Sequence, residues 1–309
     1  MLKTKALILA KIETTYGTDA TPTPATDAIL VESPELTIAD RKIERKNVKQ
    51  FMGSNPIVPV GEGVKIKFKT ELKGSGTAGT KPEIDPLFRA CNFTHTNTPG
   101  VSDSYDPNSN TSSAESITIY YYVDGLLVKL VGCRGMLSMT IKAADFGTIE
   151  WEFTGIFASP TDQAMASGAT FNQTVPPRFI GASFTIDSWA GVIETLTVKV
   201  ANEIAKRPSA NAATGILEWF IKERLVTGEI DPEVVAMATK NLWSMWSGAS
   251  RVALTATIGT SAGNKCTISG PTVQLDTVKY GDRDNILTYA QPIIFTPNSG
   301  NDEIKFLFT

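Results

Sequence analysis

Residues 116–132 read SITIYYYVDGLLVKLVG, and this stretch decides the fold class. Ile117, Ile119, Tyr121 and Val123 alternate with Thr118, Tyr120 and Tyr122, the two-residue period of a strand whose faces differ. Asp124-Gly125 follows, a pair suited to a tight turn with positive φ, and a second apolar-rich run returns from it. The stretch therefore reads as a β-hairpin. Outward from it the pattern recurs. In VKIKFKTEL (64–72), Val64, Ile66, Phe68 and Leu72 share one face, and Lys65, Lys67, Lys69 and Glu71 the other. Residues 136–142 continue it, and in 148–157 Ile149, Trp151 and Phe153 oppose Glu150, Glu152 and Thr154. Such alternation fits antiparallel sheet with one dry face better than parallel sheet buried on both.

Helices are few. In PEIDPLFRACNF (82–93), Asp85 is placed to cap and Pro86 to occupy the first helical position. A longer helix is expected from Pro232 to about Trp246, capped by Asp231 and ended by Gly248. Its apolar face would be Val234, Ala238, Leu242 and Met245. Trp243 and Trp246 read as core or interface packing rather than a ligand cage.

The order of elements repeats. The tripeptide IDP occurs at 84–86 and 230–232, each time opening an expected helix. Before the copies lie VKIKFKTEL (64–72) and ILEWFIKERL (216–225), and before those ELTIADRKIERK from Glu35 and TLTVKVANEIAKR from Thr195. After them come SITIYYYV (116–123) and RVALTATIG (251–259), then GMLSMTIK from Gly135 and GPTVQLDTV from Gly270. A closing strand ends each half. Residues 158–182, rich in Ala, Ser, Thr, Pro and Gly, read as the connection. The expected division is 1–165, a linker over 166–180, and 181–309.

Composition excludes several function classes. The 309 residues carry 29 Lys plus Arg against 32 Asp plus Glu, a net charge of -3, with 42% hydrophobic and 20% charged residues. Such a chain folds, and it lacks the basic excess of a protein that grips nucleic acid. No apolar run approaches a membrane span, and Ala6–Ala10 is too short for a signal-peptide core, so synthesis in the cytoplasm is the default expectation. Cys91, Cys133 and Cys266 are widely spaced, without a CxxC, and read as small buried hydrophobes. The single histidine, His95, lies in the polar stretch NFTHTNTPG, which reads as a loop without metal-ligand spacing or a nucleophile partner. GSGTAG (74–79) matches a dinucleotide-type glycine pattern, but Lys81–Asp85, with Pro82, separate it from the next helix, so a flexible connector is the better reading. No catalytic, cofactor or metal residue emerges, and an enzyme is not expected.

Several phrases together resemble one family, the major tail tube proteins of long-tailed bacteriophages of the non-contractile, siphovirus type. They are AKIETTYGTDATPTPATDAILV (10–31), the run from Phe51 to Phe93, SITIYYYVDGLLVKLVGCRG (116–135), TIEWEFTGIFASPTD (148–162) and TPNSGNDEIKFLF (296–308). None is a catalytic signature; the combination and its order carry the resemblance. It implies a mainly β fold, here two tandem tail-tube-like β-sandwich or half-barrel domains, each with a flanking α-helix. It further implies rings stacked into a tube in the virion, through which DNA passes without specific binding and without a membrane. Expected partners are further copies of the chain and the tape-measure, tail tip and tail terminator proteins. The duplication points to three two-domain chains per ring, a trimer with pseudo-sixfold symmetry. Glu150 and Glu152 are expected to face the lumen by the family's acidic lumen, and Lys65, Lys67 and Lys69 an outer or contact face. The excursion at about 42–62 sets Arg45, Lys46 and Lys49 beside Phe51, Met52, Ile57 and Val58, a combination suited to docking on the next ring, with residues 11–27 a second candidate arm. The competing class is a non-catalytic adhesive or receptor-binding β-sandwich module.

Overall fold

The computed structural model describes residues 2 and 4–309, and for 39–42 and 59–62 the backbone alone. It is mainly β, with 53% strand and 6% helix. The first half holds β1 (Ala6–Ile12), the one-turn helix α1 (Pro24–Asp27), β2 (Ala28–Ile29), β3 (Glu32–Glu44) and β4 (Ile57–Glu71). It continues with α2 (Asp85–Ala90), β5 (Phe93–Thr98), β6 (Ser102–Pro107), β7 (Ile117–Val123), β8 (Leu126–Lys142) and β9 (Thr148–Asp162). The second holds β10 (Ser183–Ile186), β11 (Thr195–Pro208), β12 (Ile216–Ile230), α3 (Leu242–Ser247), β13 (Arg251–Ile258), β14 (Cys266–Leu275), β15 (Lys279–Arg283), β16 (Ile286–Thr296) and β17 (Lys305–Phe308).

The opening hairpin forms as read: β7 and β8 pair, and Asp124 (φ 32) and Gly125 (φ 105) turn between them. The pairing order of the first half is β1-β7-β8-β9-β4-β3, and that of the second is β10-β13-β14-β16-β12-β11. Element for element the two orders correspond, as the repeated sequence order predicts. They are stitched into one sheet where β8 pairs antiparallel with β11, Leu137–Lys142 against Val200–Thr195.

One hydrophobic core runs beneath both repeats, from Ile8 and Val64 to Ile268 and Phe306. Its centre is α2. Phe88 lies 4.7 Å from the Tyr105 ring, 5.1 Å from Trp151 and 5.1 Å from Phe306, so the helix is clamped between the long sheet and the β5-β6-β17 layer. Two expectations need correction. Residues 232–246 are not one helix: only Leu242–Ser247 is helical, and Asn241, not Asp231, caps it by accepting from Ser244 N. Asp231 is engaged elsewhere, its carboxylate accepting from the Glu194 and Thr195 amides and pairing with Arg283, which fixes this segment against β15 and β16. The α2 helix begins at Asp85, whose carboxylate accepts from the Tyr105 hydroxyl instead of capping. Within the expected linker, Ala166, Ala169 and Phe171, with Met165 just before it, cover a second apolar cluster of Leu7, Leu9, Ala28, Tyr120, Tyr122 and Leu127.

Candidate assembly surfaces

The long hairpin loop is the first candidate. The strands β3 and β4 run further than the sequence suggests, so the loop proper is 45–56. It is closed by its own polar groups: Asn55 Nδ2 donates to the carbonyls of Arg45 (2.6 Å) and Asn47 (3.1 Å), and Lys49 Nζ to that of Ser54 (2.8 Å). Its apolar side chains touch no core. Phe51 is 77% exposed and Met52 fully so, and Val48, Ile57 and Val58 are also exposed, with Arg45, Lys46 and Lys49 around them. Exposed apolar residues on a hydrogen-bonded scaffold are what a docking loop presents. The N-terminal arm behaves differently. Glu13 is buried and accepts from Ser116 Oγ, Thr118 Oγ1 and Gly132 N, while Asp19 accepts from Tyr120 Oη and Lys129 Nζ. Residues 11–27 are thus largely committed to β7 and β8 of their own chain.

The polar face of the sheet is the second candidate. Lys69 stands opposite Glu150, and Lys67 opposite Glu152. Beyond them Glu150 is opposite Ser138, Ser138 opposite Lys199, and Lys199 opposite Thr227, a polar row that crosses from one repeat to the other. The lysines and glutamates expected on different faces therefore share one. Glu152 accepts both Lys65 (2.8 Å) and Lys67 (2.9 Å). Burial raises the Glu152 carboxyl, but the two ammonium groups outweigh it and hold it below its usual value of 4.5. A depressed carboxyl stabilises the fold above that value, and the contribution disappears as pH falls through the folded one. Glu152→Gln is expected to cost about 0.5–1 kcal/mol at pH 7, limited by the half-exposed lysines. Urea titrations of both proteins should show the gap closing on acidification below pH 4.5.

The remaining sequence candidates are structural. His95 lies on β5, not in a loop; its Nε2 meets Asp103 Oδ1 at 2.7 Å and its ring tilts against Tyr105. Asp103 also accepts from Asn97, and among the described residues no Ser, Thr or Cys side chain hydrogen-bonds to the pair. His95→Ala is expected to lower stability by about 1–3 kcal/mol, since buried Asp103 loses a partner, yet leave assembly intact by electron microscopy. The GSGTAG loop is a packed joint instead of a flexible connector. Gly74 N donates to Asn264 Oδ1 and Gly76 N to the Gly263 carbonyl, and a Cβ at Gly74 would collide with that carbonyl. The glycines permit backbone-to-backbone contact between the repeats. Sequence reading could not see this, because the partner loop lies far along the chain. The cysteines are buried and unpaired, and burial pushes the Cys266 thiol up to about 12. Among the described residues no group of His, Cys, Asp and Glu could hold a metal, and no helix is long and apolar enough to cross a membrane.

No curated protein matches the chain. The family model described as phage tail tube protein matches residues 4–296. With that match spanning nearly all of a mainly β chain, the protein belongs to the phage tail tube family and is a structural component of the virion.

Proposed function

We propose that the chain is the major tail tube subunit, that three copies close into a ring of six repeats, and that rings stack into a tube around DNA. The observation that carries this is the β8–β11 junction, a repeat-to-repeat seam already made within one chain. By the shared pairing order, β3 stands where β11 stands, and β14 where β8 does. Among the described residues β3 pairs only with β4, and β15, which prolongs β14, only with β16. Joining the β14–β15 margin of one chain to β3 of the next repeats the internal seam, and heterologous contacts of one kind close into a ring. Closure also removes the open edge, which otherwise templates aggregation.

In this arrangement each chain supplies two tube domains, about 1–165 and 181–309, and the polar face carrying Glu150 and Glu152 lines the lumen. Lys65, Lys67 and Lys69 line it too, neutralised in part by those glutamates. A face with both charges close together does not hold phosphates tightly, which suits a conduit. The tube's ends meet the tape-measure, tail tip and terminator proteins. Native mass spectrometry with electron microscopy of the concentrated protein tests the reading. Rings of three chains with pseudo-sixfold projections are expected. Rings of six complete chains overturn the trimer, and monomers at all concentrations favour an adhesive module.

A further inference from the structure

The two repeats differ at opposite ends of the sheet. At one end the first repeat carries the 45–56 loop, and the second has only the short turn 209–215. At the other end the first repeat turns within 143–147, while the second extends into the β15–β16 ribbon. Strand directions fix these positions: Glu71 pairs with Thr148, and Thr195 with Lys142, so the loop and the ribbon lie at opposite ends of the strands.

The ribbon overhangs the core. Tyr289, Ile293 and Phe295 alternate inward along β16, and Leu287 continues the same face. Tyr280 is opposite Tyr289, and Asp282 opposite Leu287, so these side chains share that inward face. Yet Leu287 is 52% and Tyr280 53% exposed, because no core lies beneath them. Trp243 extends the patch, 5.8 Å from the Tyr280 ring, and Trp246 stands beside it, 44% exposed. Asp282 and Asp284 form an exposed acidic rim.

We infer that this face of the β15–β16 ribbon is the receptor for the 45–56 loop of a chain in the adjacent ring. The assignment rests on the stacked-ring reading above and names the partner surface that reading leaves open. Phe51 and Met52 supply apolar anchors to Tyr280, Leu287 and Trp246, and Arg45, Lys46 and Lys49 meet Asp282 and Asp284. Anchors in an apolar patch give affinity, and the charged rim fixes orientation and speeds encounter. Each chain has one such loop and one such ribbon, at opposite ends, so the contact is matched one to one and propagates along the axis.

Disulfide trapping tests it, because the native cysteines are all buried. Tubes of the Met52→Cys/Leu287→Cys double variant, oxidised and run without reductant, should give a covalent ladder that neither single variant gives. A ladder from Met52→Cys/Asp145→Cys instead, or tubes with no ladder from either pair, overturns the receptor while loop-driven stacking stands. Wild-type protein that forms neither rings nor tubes overturns the underlying reading. A second arm covers a double variant that fails to polymerise. Asp282→Lys with Asp284→Asn, the latter tolerating the positive φ of 48° there, should slow polymerisation about tenfold. Adding Lys46→Glu and Lys49→Glu should restore the rate, and failure to restore it overturns the contact.

Discussion

Deleting residues 47–55 is expected to leave a folded, soluble protein that no longer forms tubes. The loop's apolar side chains contribute nothing to the core, with Val48 and Met52 fully exposed and Phe51 77% exposed. Removing them therefore forfeits no burial within the chain, and shortening the loop lowers its closure cost by only about 1 kcal/mol. The cut stops at Asn55 because Ile57 and Val58 already pair with Glu44 and Ile43 across β3 and β4, and removing them would damage the sheet itself. Circular dichroism and thermal melting should match the full chain. Gel filtration and electron microscopy should show rings without stacks. Normal tubes from the deletion would remove this loop from the stacking interface.

Replacing Phe88 by alanine is expected to be the most damaging single change. Its ring is fully buried and lies within 6.2 Å of five other aromatic rings, the farthest being Phe308. Two of those, Phe306 and Phe308, come from the last strand of the second repeat, so the cavity opens where both repeats share a core. Such a truncation costs about 3–5 kcal/mol, a large share of an ordinary folding free energy. The melting temperature should fall by roughly 10 °C, and Phe88→Leu, which keeps most of the volume, should cost only about 1 kcal/mol. An unchanged denaturation midpoint for Phe88→Ala would mean that the helix is not the anchor of this core.

The strands were legible because their sheet has one dry and one wet face. Ile149, Trp151 and Phe153 are buried, and the residues between them face the polar side, the signature of period two. The matching strand order of the two halves was legible for a related reason: it survives changes in loop length. The long helix was not. Val234, Ala238 and Leu242 have helical spacing, but the start of the segment is tied by the Asp231 carboxylate and by the Val234 amide donating to the Leu287 carbonyl, and beyond it the chain makes only a turn at 237–239. Those ties join residues far apart in sequence, and no local pattern announces them. The charged face was misassigned on the same account. Lys67 and Glu152 each sit correctly on an alternating strand, but only the β4–β9 register puts them on one surface. Of the 45–56 loop, composition picked out the exposed apolar residues and the basic ones beside them, while the exposed face of the β15–β16 ribbon required the fold.

The seam between β8 and β11 has a kinetic consequence. Because a single polypeptide carries both strands, half of the six seams in the proposed ring close as unimolecular events at the high effective concentration of a tethered pair. Only three remain to be made by collision. The onset of ring formation should then follow a lower power of protein concentration than six separate single-repeat chains would require. At low protein concentrations, a fused chain of the proposed ring would reach closure while unfused subunits were still accumulating open arcs.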